Sequence, residues 1–244
     1  MVINITTNTC ICNSNTIVLR SLMTALSFKL NDKLYLRDPQ HTELGQKIIR
    51  ESINLIDSLG FEQFTFKKLA ESIESTEASI YRYFENKHRV LLYLTAWYWN
   101  WIEYRIDLLT HPAQKPEEKI KYCLRVLTEE KKFDPAFDFV NEEALYRIVL
   151  LEQNKTYLTK WVDDDNSVGL FTPYKTICKK IADYIHDFNP KYQYPNSLVS
   201  TVMLAAHQQV FYAQHLPSLT NMKRKVHDDL LAFLEHLVFS TVKK

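Results

Sequence analysis

Three glycines in a chain of 244 residues, at positions 45, 60 and 169, constrain the fold more than any other feature. Tight hairpin turns and phosphate-cradling loops rely on glycine, because it reaches positive φ without a steric penalty. A chain that nearly dispenses with it can neither string many short strands together nor supply a Gly-rich nucleotide loop. The expected class is therefore all-α. Hydrophobic residues make up 46% and aromatics 13%, enough for a sizeable core or for a small domain attached to a larger one. The net charge of +1 offers little general attraction to nucleic acid.

Cys10, Cys12, Cys123 and Cys178 are too irregularly spaced for a disulfide framework, so reduced thiols in a cytoplasm are expected. Cys10-x-Cys12 lacks the second His/Cys pair that a zinc site needs. No apolar run approaches the roughly 20 residues of a membrane span. The first thirty residues show no basic start and no small-residue cleavage site, so no signal peptide is expected. Residues 1–22, mostly Asn, Thr, Ser and Ile without a pattern, read as unstructured, with Met23 as an alternative start of translation.

Thr65–Lys87, TFKKLAESIESTEASIYRYFENK, carries the chemistry. Thr65 opens a short amphipathic helix with Phe66, Leu69, Ala70 and Ile73 apolar. Glu74–Ser75 makes a polar turn. Thr76 opens a second short helix with Ile80 and Phe84 inward and Tyr81, Arg82 and Tyr83 near its end. Both threonines suit the N-cap, where a hydroxyl accepts from an orphan helix N–H. Two short helices in this spacing write a helix-turn-helix, whose second helix enters a DNA major groove. Phenol hydroxyls can donate to phosphate oxygens, and Arg and Lys add charge-assisted bonds. The alternative is that Tyr81 and Tyr83 are rim aromatics of a small helical core.

Residues 42–91 resemble the N-terminal domain of the TetR family of bacterial transcriptional regulators. The matching pieces are Gly60–Phe61, Thr65 with Leu69–Ala70, Ile80–Tyr81–Arg82–Tyr83–Phe84, and Asn86–Lys87. The resemblance implies that Thr65, Thr76, Tyr81, Tyr83 and Lys87, with Lys67 beside them, hold the phosphate backbone. It places Glu77, Ala78, Ser79 and Arg82 nearest the base edges. It also implies a homodimer that binds a palindromic operator, usually as a repressor, and is often released by a small molecule. Two departures stand out. Glu74 and Ser75 occupy the turn where the family usually has a glycine and an apolar residue, and Glu77 replaces a frequent Lys. A carboxylate there suits the helix dipole and could accept from a cytosine amino group, but it repels phosphates. Residues 39–90 hold Lys or Arg at 47, 50, 67, 68, 82, 87 and 89, against Asp or Glu at 43, 51, 57, 62, 71, 74, 77 and 85. Such a module lacks the usual basic footprint.

The expected organisation has three parts. Residues 1–38 form an unstructured start and an extended basic arm; residues 39–90 form the helix-turn-helix domain; residues 91–244 form a helical ligand-binding and dimerisation domain. The arm, 26–38, alternates apolar and polar and carries Lys29, Lys33 and Arg37. It suits either a DNA contact or a strap packed on the domain. About nine helices are expected: Thr42–Leu59 with Gly60 as its stop, the two motif helices, one from Asn86–Lys87 to about Leu109, then Glu117–Lys131, Val140–Thr159, Val168–Phe188, Ser197–His215 and Ser218–Val242. Asp163–Asp165 reads as a solvated loop.

Trp97, Trp101, Tyr104, Tyr146, Phe171 and Tyr174 could line an apolar or aromatic ligand pocket, or could be core. Leu198, Val202, Ala205, Ala206 and Gln209, with Val226, Leu230, Leu234 and Leu237, make two faces for a dimer interface, or else close the monomer core. An enzyme is not expected, and neither is a cofactor or a bound metal. His186–Asp187 and His227–Asp228 lack the converging ligands of a metal phosphohydrolase, and Glu85–His88 is a single ExxH. The remaining alternative is a helical protein–protein adaptor whose helix-turn-helix no longer binds DNA.

Overall fold

A computed structural model describes residues 27–223 and 225–243. The expectations for residues 1–22, for Cys10 and Cys12 and for Met23 lie outside the described residues. Within them the chain is helical and contains no strand. Ten helices follow one another: α1 (Glu43–Leu59), α2 (Phe66–Ser72), α3 (Glu77–Tyr81), α4 (Lys87–Thr110), α5 (Pro116–Thr128), α6 (Glu142–Tyr157), α7 (Val162–Ser167), α8 (Thr172–Phe188), α9 (Pro195–His215) and α10 (Val226–Val242). Short 3-10 turns lie at Asp32–Leu34, Pro39–His41, Pro135–Phe137 and Pro217–Leu219.

The chain divides into two compact units. One comprises the chain up to Trp97 with Lys132–Leu145; the other comprises Tyr98–Lys131 and the chain from Tyr146 onward. This differs from the expected break after residue 90. The first unit claims Lys132–Leu145 because Phe137 stacks on Phe28 (4.8 Å) and meets Trp97 edge-on (5.2 Å). The division falls inside α4, which is buried at almost every position from Val90 to Trp99 and so shows no polar stripe.

In the first unit, α1 starts where the Thr42 hydroxyl accepts from the Gly45 N–H (3.0 Å) and ends where Gly60, at φ 78°, donates to the Ile56 carbonyl (2.9 Å). Gly45 serves a close approach. A Cβ there would lie 2.3 Å from the Pro39 carbonyl oxygen. The extended arm is corrected: from residue 27 to His41 the chain is a packed strap. Phe28, Leu30 and Leu34 are buried. The Gln40 side-chain amide closes on the backbone of Phe28, accepting from its N–H (3.1 Å) and donating to its carbonyl (2.8 Å). Asn31 and Asp38 cap the two 3-10 turns. Apolar alternation thus produced burial here, while Lys29, Lys33 and Arg37 remain exposed.

In the second unit α8 packs on α5 and α9, and α10 packs on α5 and α9. Two expected spans change. Asp163–Asp165 is not a loop but the first turn of α7, with Asp165 buried. The last helix begins at Val226 rather than Ser218, because Pro217 opens a 3-10 turn after Leu216 leaves helical geometry. Pro173 sits in the first turn of α8, where its missing N–H costs nothing.

Candidate nucleic-acid interface

The two motif helices are positioned by threonines. Thr65 Oγ1 accepts from the Lys68 N–H and Thr76 Oγ1 from the Ser79 N–H, each at 3.2 Å, and Thr76 also shares a bond with the Ser79 hydroxyl (3.0 Å). The turn between them is a Schellman ending: Ser75 N–H donates to the Ala70 carbonyl (2.9 Å) and Glu74 N–H to Glu71 (3.3 Å). Its left-handed position, φ 53°, is held by Glu74, the one described non-glycine residue at positive φ. That geometry costs a non-glycine residue on the order of 1 kcal/mol. The Lys47 ammonium completes the end of α2 by donating to the Ile73 carbonyl (2.9 Å), and Lys68 donates to the Gln63 carbonyl (2.9 Å). Nothing in the sequence pattern marked these two lysines as caps.

α3 buries Ile80 completely and leaves Thr76, Glu77, Ala78, Tyr81 and Arg82 exposed, with Ser79 half-buried. Tyr81 is 49% exposed, its ring edge-on to Phe66 (4.9 Å). Lys67 is exposed on the first turn of α2. These side chains can reach a duplex. Tyr83 and Lys87, expected to grip phosphates, are corrected. Tyr83 is 2% exposed, and its hydroxyl shares a 2.8 Å hydrogen bond with Thr42 Oγ1. The Tyr83 carbonyl accepts from Leu36 N–H in the strap (2.8 Å). The Lys87 ammonium donates to the carbonyls of Phe61, Glu62 and Phe64 (3.1, 3.0 and 3.2 Å) and lies 4.8 Å from the centre of the Phe61 ring. All three of its hydrogens serve the α1–α2 connection.

The expected ligand-pocket residues do not form one group. Trp97 belongs to the first unit, among Phe28, Phe137 and Phe139. In the second unit Trp101, Tyr146 and Phe171 are buried, and Tyr104 and Tyr174 are half-buried. Rings that the pattern did not single out link them. Trp99 meets Tyr174 (4.9 Å), stacks on His207 (5.5 Å) and donates to the Tyr157 hydroxyl (2.8 Å); Tyr157 meets Phe171 (5.3 Å). Tyr146 stacks on Tyr98 and meets His207 edge-on. Burial, helped by the charge of Lys131, pushes the His207 imidazole down to about 4. Lys131 is itself buried and pushed down to about 7, chiefly by desolvation, while its ammonium donates to the carbonyls of Val126, Leu127 and Glu129 at the end of α5.

The expected dimer faces divide. Leu198, Val202, Ala206, Leu230 and Leu234 are buried in the chain's own core, a correction that follows from α9 and α10 packing on each other and on α5. Ala205, Gln209, Val226 and Leu237 stay half-exposed, and Leu204 and Phe233 are exposed beside them. Gln209, Leu219, Thr220, Asn221, Met222, Asp229, Ala232 and Phe233 line an open groove of about 440 Å³. Among the described residues no group of three or more His, Cys, Asp or Glu side chains could hold a metal ion, and no helix is long and apolar enough to cross a membrane.

Two short threonine-capped helices joined by a tight turn, with Tyr81 and Arg82 exposed at the end of the second, make a helix-turn-helix. Residues 48–94 match the family model of bacterial regulatory proteins, tetR family. The matched domain and the overall fold are those of DNA-binding transcriptional regulators. Among solved structures the chain is similar to AibR in complex with isovaleryl coenzyme A and operator DNA (12% identity over 80% of this chain and 99% of that one, TM-score 0.56). It is similar also to the ketosteroid transcriptional regulator KstR2 of Mycobacterium tuberculosis (12%, 85% and 100%, 0.56) and to the fatty acid degradation regulator FadR from Bacillus halodurans (16%, 79% and 92%, 0.56). At these identities the likeness establishes the fold. No curated protein sequence matches the chain.

Proposed function

We propose that this chain is a cytoplasmic homodimeric repressor that reads a palindromic operator and is released by a small apolar or aromatic ligand. The observation that carries the DNA reading is the exposure of Tyr81 and Arg82 on a helix anchored by the buried Ile80. Thr65, Lys67, Thr76 and Tyr81 contact phosphates; Glu77, Ala78, Ser79 and Arg82 face base edges. Tyr83 and Lys87 hold the domain together. The unit from Tyr98 onward supplies the ligand site, from rings among Trp101, Tyr104, Tyr146, Phe171 and Tyr174. It pairs two copies through the exposed parts of α9 and α10, Leu204, Ala205, Gln209, Phe233 and Leu237. The operator DNA and isovaleryl coenzyme A bound to AibR support this division of labour. Release requires a coupling of only about 1–3 kcal/mol between ligand and DNA.

The test is a salt titration of binding to random and selected duplexes. Specific binding should fall steeply with salt as neutralised phosphates regain their counterions. Tyr81→Phe should weaken binding to all duplexes, and Arg82→Ala should also relax base preference. The exposed Glu71, Glu74 and Glu77 favour the adaptor as second reading. No binding to any duplex at low salt would establish the adaptor in place of the regulator.

A further inference from the structure

Residue 77 opens α3 with a carboxylate, at a place where a helix entering DNA gains from a cation. Glu77 is exposed and engages no cation among the described residues. Glu71 and Glu74 are exposed beside the same turn, so the local field does not favour phosphates. Ala78 and Arg82, four residues apart and opposite the buried Ile80, form the outer ridge of α3. Glu77 and Tyr81, also four apart, form its flank on the side of α2, where the Tyr81 ring meets Phe66.

The chemistry of that flank is narrow. An ionised carboxylate only accepts hydrogen bonds. In the major groove guanine shows two acceptors, N7 and O6, and thymine shows the O4 acceptor beside a methyl group. Adenine shows its amino group next to the N7 acceptor. Cytosine alone shows an amino donor with no acceptor on its own edge. A carboxylate lowered into the groove is repelled by the phosphates whatever the sequence, and is compensated fully only at cytosine. Specificity gained by rejecting wrong partners has this form.

Resting on the DNA-binding reading above, we infer that Glu77 is a specificity-determining residue of α3: its carboxylate accepts from the N4 amino group of one cytosine in each half-site. Guanine, thymine and adenine at that position present it with an acceptor.

The experiment is selection of bound duplexes from a random pool by the full-length chain and by Glu77→Ala, followed by binding to the selected duplex with pyrimidin-2-one in place of the chosen cytosine. That base lacks the N4 amino group. The wild type should select one cytosine per half-site and lose about tenfold or more in affinity with pyrimidin-2-one. Glu77→Ala, which removes the acceptor, should lose that preference, should bind the two duplexes to within about twofold of each other, and should bind random duplex at least as tightly as the wild type. A first-turn carboxylate that merely complements the helix dipole would change the melting temperature and leave base preference untouched. An unchanged base profile in Glu77→Ala overturns the inference, and so does a wild-type chain indifferent to pyrimidin-2-one; the latter arm needs no variant to fold. A wild-type chain that selects no duplex instead overturns the DNA-binding reading, and this inference with it.

Discussion

The helix-turn-helix and the unit that starts at Tyr98 are held by different kinds of contact. Between Thr65 and Tyr81 the decisive bonds join near neighbours: Thr65 to Lys68, Ser75 to Ala70, Thr76 to Ser79. In the second unit the partners are distant in the chain: Trp99 with Tyr157 and His207, and Lys180 with Glu103 and Asp107. Local bonds form with little loop closure and recur wherever their spacing recurs. Distant ones exist only after the chain has folded, and burial makes each of them matter more. The recognition element is therefore assembled from many weak, replaceable parts, whereas the second unit depends on a few large ones.

The sharpest break of that contrast is Trp99→Ala. It removes a fully buried ring, its stacking on His207 and its bond to Tyr157, and should cost about 3–5 kcal/mol in urea unfolding. Thr76→Ala, which removes a local cap, should cost only about 1 kcal/mol. Equal losses would refute the comparison.

Acidification comes next in size and should act on the second unit. Its buried His207 has a folded value of about 4 against 6.5 when free. Above pH 6.5 neither state is protonated and this contribution to stability is intact. As the pH falls towards 4 the unfolded chain takes up a proton that the folded chain refuses. Stability should decline by about 1.4 kcal/mol per pH unit, roughly 3 kcal/mol in all. Urea midpoints between pH 7 and 4.5 measure this, and His207→Phe should flatten the slope.

Two tyrosines two residues apart sharpen the comparison within the first unit. Tyr83→Phe should lose about 1 kcal/mol of stability with the Thr42 bond and leave the salt dependence of DNA binding unchanged. Tyr81→Phe should weaken DNA binding with little change in melting temperature. Interchanged results would show that the buried and exposed phenols had traded roles. The smallest effect belongs to Glu74→Gly, which relieves the left-handed backbone of the turn and should stabilise by about 0.5–1 kcal/mol, read as a rise in melting temperature.

Much of the fold was legible because its signals are local. Few glycines, threonine caps at 65 and 76, the stop at Gly60 and prolines at helix starts each act over one turn of chain. Glu74 stood out in the sequence as a departure from the glycine usual in the resembled family, but that it takes the left-handed position came from the structure. The strap was ambiguous for a physical reason: alternation at Phe28, Leu30 and Leu34 describes an arm in a groove as well as a band on a core. Lys87 misled because a lysine near a recognition helix suits a phosphate, and nothing local shows that three carbonyls already surround it.

By itself the amino-acid sequence determined most of the helices, the turn that joins α2 to α3 and the threonines that begin these two, since capping and periodicity are settled within a few residues. Only the tertiary structure decided which of two neighbouring phenols meets solvent. Leu36 and Thr42, brought alongside from the strap and the start of α1, bond to Tyr83 and leave Tyr81 free to meet a partner. It likewise decided that Leu198, Val202 and Leu234 close the chain's own core while Leu204 and Phe233 face outward, because a stripe of apolar residues records that a face is buried but not what buries it.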